Sequence, residues 1–191
     1  MQSPPAVVLH RTVSFDGQEL MKYHDPDFEA TTDSVGRLSE GPGVVEGPGY
    51  EVDWKHATTI FGEQLQLFNG NADPNDVRQG SLGNCYFLCA LASIAKIPHR
   101  INNLFVEAIP GEYHGGSAEL EPHGLYGVKF CVNGGRREVI LDDQFPCFRG
   151  TNEPCFAKCF SRSDLWALLL EKAYAKCYGS YEAISEGYAG L

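Results

Sequence analysis

The chain has 191 residues, 43% of them hydrophobic, with a formal net charge of -10 and an isoelectric point near 5.0. That length can bury a real core as one domain, with or without a loose tail. That acidity argues against nucleic acid or anionic membrane as a partner and favours cation binding or plain solubility.

No apolar run approaches the ~18–20 residues of a membrane span. Gln2 stands where N-myristoylation needs glycine. Cysteines at 85, 89, 131, 147, 155, 159 and 177 make an odd set with no signal peptide before them. They read as reduced, intracellular thiols rather than a disulfide scaffold, which points to the cytoplasm.

Residues 1–22 show no sustained periodicity and are expected to be an irregular lead-in to a single unit spanning 23–191. From Tyr23 to Tyr50 the chain is rich in Asp, Gly, Pro and Ser, with turns expected at His24-Asp25-Pro26-Asp27 and at 40–43. Val52 to Lys55 reads as a short extended piece, and Thr59 to Phe68 as a short helix. Residues 69–84 form a Gly/Asn/Asp-rich loop that runs straight into Cys85. The segment from Tyr86 to Ala95 is apolar nearly all round and predicts a buried helix, stopped by Pro98. Cys89 reads as a core residue of that helix.

Residues 125–142 predict a hairpin. Tyr126, Val128, Phe130 and Val132 alternate onto one face, and Asn133-Gly134 supplies a type I′ turn. Residues 144–162 read as mixed loop. Ser163 can cap a helix from Asp164 to about Cys177, with Gly179 beyond its end. The hydrophobic positions of this helix cover more than one stripe. Cys155 and Cys159, with Cys147 nearby, are too widely spaced and too few for a convincing zinc site, and read as structural or free thiols.

The informative unit is Gln79-Gly80-Ser81-Leu82-Gly83-Asn84-Cys85. A thiol at a helix N-terminus feels the partial positive charge of unpaired N–H groups, which favours the nucleophilic thiolate. A Gln six residues earlier, joined by a glycine-rich turn, can bring its amide beside the Cys85 backbone N–H. Two such donors make an oxyanion hole.

Gln79 to Leu88 resembles the active-site segment of the calpain family of cysteine proteases and shares the papain-type Gln–Cys spacing. Tyr23 to Phe28 resembles the family's entry segment, Val52 to His56 its Trp-Lys/Arg segment, and Val139 to Pro146 its strand ending in paired aspartates. Trp166 to Lys176, followed by Gly179 to Ala183, is the most specific piece. Asn84 and Tyr86 stand where the family usually has Asp and Trp.

The resemblance implies an α+β fold, the mostly helical N-terminal catalytic subdomain of a papain-like cysteine protease with a small antiparallel sheet. It implies a protein or peptide substrate, with Cys85 as nucleophile and Gln79 as oxyanion donor. In papain-type enzymes the base histidine and its Asn lie ≈ 130–150 residues past the cysteine, beyond roughly position 215 here. A complementary subdomain, downstream or in trans, is therefore the expected partner, and the isolated chain is expected to be inactive. The resemblance also implies Ca²⁺. Asp76 matches one carboxylate ligand, Asp164 falls where the family has glutamate, and carbonyls near Asn69 and Asn71 match other ligands. Composition alone reads that loop as a turn. The alternative for the whole chain is a non-catalytic calpain-like binding or regulatory module.

Overall fold

A computed structural model describes residues 9–13, 19–36, 52–108, 120–161 and 163–187. The turn expected at 40–43 lies outside them. The centre is α5 (Trp166–Tyr178), in which Trp166 to Ala173 and Ala175 are all buried. Its apolar residues point in every direction because other elements pack on every side. Gly179, at φ 101°, ends it in the left-handed conformation, where its N–H donates to the Ala175 and Lys176 carbonyls. The start differs from expectation. Leu165 takes the cap position and Asp164 instead bridges to Gln66, so the helix begins two residues later.

On one side of α5 lies α3 (Cys85–Ala95), whose Phe87 ring stacks on Tyr174 at 4.3 Å. This helix is not buried all round. Phe87, Leu88, Leu91 and Ala95 face the core, while Cys85, Cys89, Ala90 and Ser93 face outward. Cys89 is thus exposed, not a core residue. Pro98 opens the next helix, α4 (Pro98–Asn102), at the first-turn position where its missing N–H costs nothing.

The hairpin forms as expected from β6 (Leu125–Val132) and β7 (Gly135–Asp142), with Asn133 and Gly134 both at positive φ. The short strand β5 (Phe105–Val106) adds to its edge. Elsewhere there is more strand than the sequence suggested. The lead-in carries β1 (Leu9–Val13), paired to β2 (Glu19–Tyr23). The extended piece is β3 (Val52–His56), and it pairs with β8 (Gln144–Phe148), inside the stretch expected to be loop. A two-residue ladder joins β4 (Val77–Arg78) to β9 (Lys158–Cys159). The expectation of a mostly helical unit with one small sheet is therefore corrected. The described residues form four small antiparallel sheets around two main helices. The helix expected at 59–68 is the shorter α2 (Ala57–Phe61). Gly62 at φ 60° turns the chain out of it.

A buried charge network ties these pieces together. Lys172 of α5 is fully buried and donates to an Asp142 carboxylate oxygen and to the Gln144 carbonyl, the latter at 2.7 Å. Asp142 also accepts from the backbone N–H of Asp25 and Gln144. Lys176 grips both oxygens of Asp25 at 2.7 Å and the Ile140 carbonyl at 2.8 Å. Asp143 takes Lys22 at 2.9 Å and His56 at 2.5 Å. Burial pushes the Asp143 carboxyl up, but His56 and Lys22 outweigh it and hold it below the usual carboxylate range.

Replacing one member leaves the others charged and buried. Lys172→Met should destabilise the chain by about 3–5 kcal/mol in urea unfolding. Adding Asp142→Asn should recover part of that loss, since the partner charge is then gone.

Candidate functional site

Cys85 is the first residue of α3, and its thiol is exposed. The preceding turn is fastened on three sides. Ser81 N–H donates to the Cys155 carbonyl at 2.8 Å. Gly80 lies so close to the 155–156 backbone that a Cβ there would sit 2.1 Å from the Phe156 oxygen. Only glycine permits that approach. Glu186 N–H donates to the Gly83 carbonyl at 2.9 Å, bringing the end of the described chain across the turn.

Asn84 is the residue before the helix, and its carbonyl accepts from the Phe87 and Leu88 N–H groups. The N–H groups of Cys85 and Tyr86 face out of the helix end. Gln79 is exposed, and its amide nitrogen donates to the Leu82 carbonyl at 2.8 Å, closing its own turn. That bond uses one of its two hydrogens. The Tyr86 hydroxyl donates to the Ile184 carbonyl at 3.1 Å, and its ring packs against Gly187. Tyr86 thereby pins the 184–187 segment beside the helix start.

Three of the described histidines have partners away from Cys85. His56 meets Asp143, the Gln144 amide donates to His24 at 3.1 Å, and His123 Nδ1 donates to the Met21 carbonyl at 2.8 Å.

The four proposed cation ligands lie on two segments that meet. Gln66 bridges to Asp164, and the Leu165 N–H donates to the Gln66 carbonyl. Asp164 is 1% exposed. One of its oxygens accepts from Ser163 Oγ, and the other has no partner among the described residues. Asp76 is half-buried, and its carboxyl is raised by burial, then by the charge of Asp164, then by that of Asp73. Asn69 and Asn71 are exposed on the loop. Asp73, which the sequence reading passed over, accepts from the Asn75 N–H and side-chain amide. Among the described residues no group of three or more His, Cys, Asp or Glu is arranged to hold a metal, so side chains alone do not form a cage. Cys147 and Cys155 are buried, and burial pushes both thiols up to about 12. No helix among the described residues is long and apolar enough to cross a membrane.

Sequence reasoning also missed Glu171. It is buried in the middle of α5 and accepts from Asn84 Nδ2 at 2.7 Å and from the Ala157 N–H at 2.9 Å. The available signal was one carboxylate set after five apolar residues in a helix that buries every face. Burial lifts its carboxyl from the ordinary 4.5 to about 7, although the two donors pull the other way. Between those values the unfolded chain ionises while the fold keeps the proton, so stability falls as pH rises. Glu171→Gln should remove that slope. Relative to the parent it should gain about 3 kcal/mol between pH 4.5 and 8, measured by urea unfolding across pH.

Comparison with known proteins identifies the family. The model of the calpain family of cysteine proteases matches residues 23–190. Calpain-8 of Mus musculus is 34% identical over 166 residues, covering 86% of this chain and 22% of its own. Calpain-10 of Rattus norvegicus is 36% identical over 137 residues, covering 72% and 19%. The calpain-type cysteine protease DEK1 of Arabidopsis thaliana is 39% identical over 121 residues, covering 63% and 5%. The chain thus spans about a fifth or less of the length of these relatives. With the family model matched across nearly the whole globular unit, the chain belongs to the calpain family of cysteine proteases.

Proposed function

We propose that this unit supplies the nucleophile and the oxyanion donors of a calcium-dependent, papain-like endopeptidase acting in the cytoplasm. The observation that carries this is the exposed Cys85 thiol at the first position of α3, after a turn held rigid from three sides. The thiolate attacks a peptide carbonyl. The Cys85 N–H and the second Gln79 amide hydrogen hold the developing oxyanion. A histidine from the complementary subdomain takes the Cys85 proton and returns it to the leaving amine, oriented by an Asn. Three of the described histidines are bonded elsewhere, which supports the need for that second subdomain and for an isolated chain without activity.

Calcium suits the pair of segments at 66–76 and 163–166. The unpartnered buried oxygen of Asp164 and the mutual repulsion of Asp76, Asp164 and Asp73 are both relieved by a cation. Ca²⁺ takes oxygen ligands, including backbone carbonyls, so the lack of a three-carboxylate cage does not conflict with it. Asp76 and Asp164 would hold the ion with carbonyls near Asn69 and Asn71. Its charge would fix the 66–76 loop just before Gln79.

A second reading has its own observation. With three imidazoles engaged away from Cys85, the chain is suited to a binding or regulatory role on its cleft face. The exposed side of α3 would then be the contact surface.

Two measurements test these readings. Iodoacetamide labelling with peptide mapping should modify Cys85 at least about tenfold faster than Cys89 and Cys131, which are exposed on the same molecule. Equal rates would leave only the binding role. Ca²⁺ should raise the thermal midpoint, by the equivalent of about 2.7 kcal/mol at one hundred times its Kd. Asp164→Asn should abolish the rise. An unchanged midpoint in the parent up to millimolar Ca²⁺ would remove the metal.

A further inference from the structure

We infer that Glu171 is a positioning residue for the nucleophile, acting through the Asn84 side chain on the turn that presents Cys85. This rests on Cys85 being the nucleophile.

Asn84 is wholly buried, so its side chain is oriented by partners inside the protein rather than by bulk solvent. Its side-chain amide nitrogen is fixed by Glu171, and its backbone carbonyl accepts from the Phe87 and Leu88 N–H groups of the first turn of α3. The direction of the next peptide, which carries the Cys85 N–H, therefore depends on the Asn84–Glu171 bond. Glu171 in turn is anchored by the Ala157 N–H. Ala157 follows the 155–156 backbone against which Gly80 packs. One carboxylate thus holds both walls of the oxyanion turn.

The surroundings leave this bond sensitive to the charge of Glu171. Phe145, Pro146, Phe156 and Leu168 line a small, mostly apolar pocket of about 10 Å³ beside it. The Tyr181 phenol, buried after α5, feels the charge of Glu171 ahead of that of Asp142. Lys172, next along α5, is turned to Asp142 and Gln144 and leaves Glu171 without its charge. Asn84 Oδ1 has no partner among the described residues. When Glu171 is a carboxylate it can only accept, and Asn84 must offer Nδ2. When Glu171 holds a proton it gains a donor, and among the described residues Asn84 Oδ1 is an unpaired acceptor on the same side chain. Turning the amide over would bring that oxygen to the proton and change how the Asn84 side chain is held beneath the turn that carries Cys85. An asparagine, which can donate or accept, serves both states. Burial places the exchange near pH 7.

The test is the pH profile of Cys85 alkylation in the full chain, read by peptide mapping against Cys131 in the same molecule. In the parent, the Cys85-to-Cys131 rate ratio should shift about three- to tenfold through an inflection near pH 7, the size of one hydrogen bond. Glu171→Gln should remove the inflection, and so should Asn84→Ala, which leaves Glu171 in place but cuts its link to the turn. Two-dimensional NMR should show the Asn84 side-chain amide moving with the same midpoint in the parent and not in Glu171→Gln. A parent inflection that survives both substitutions, or an Asn84 amide indifferent to pH, overturns the inference. The proposed function fails separately. If Cys85 alkylates no faster than Cys131 in the parent and both variants, the nucleophile reading is lost, while the NMR titration still decides whether Glu171 controls Asn84.

Discussion

The fold is organised around one fully buried lysine. Lys172 has its ammonium against Asp142 and the Gln144 carbonyl, with the rings of Trp54 and Phe145 5.6 Å away. A charge in that position is tolerable only if every partner is in place. Those partners come from β7, β8 and β3, and through Asp142 and Asp25 from the entry segment. Satisfying one ammonium therefore fixes segments that lie more than a hundred residues apart. Lys176 and Lys22 repeat the device on either side. Because desolvation offsets much of its attraction, the network is not counted as a large net source of stability.

α5 links this network to the chemistry. Lys172 and Glu171 are neighbours in sequence, yet a helix turns them about 100° apart. One reaches the paired aspartates. The other reaches the cap of α3. The stacking of Phe87 on Tyr174 then sets the distance between the two helices. The turn at 79–84 is consequently held by the same rigid element that gathers the sheets. That is how an exposed thiol at a helix start can be kept in one place.

The acidic 66–76 segment meets the same helix at its other end. Asp164 lies two residues before α5, and its backbone runs beside Gln66 and Leu67. Asp76 is nine residues before Cys85. Carboxylates that repel one another at this junction would be drawn in by a cation, and the movement would pass to Gln79 through only two residues, Val77 and Arg78. β4, built from those two, is clamped to β9.

Several features were legible in the chain alone because each depends on near neighbours. The Asn133-Gly134 hairpin, the glycine after α5 and the Cys85 helix start follow from local geometry and short-range spacing. The ordered motifs from Tyr23 to Gly187 carried the family. What the tertiary structure decided concerns long-range partners. β3 and β8 pair across about ninety residues, and no periodicity announces that. Cys89 looked like core because its neighbours are apolar, but which side of a uniformly apolar helix is covered depends on what packs there. Glu171 gives no sign in sequence of the Asn84 it holds, since that contact spans 87 positions and arises only when two helices close on each other.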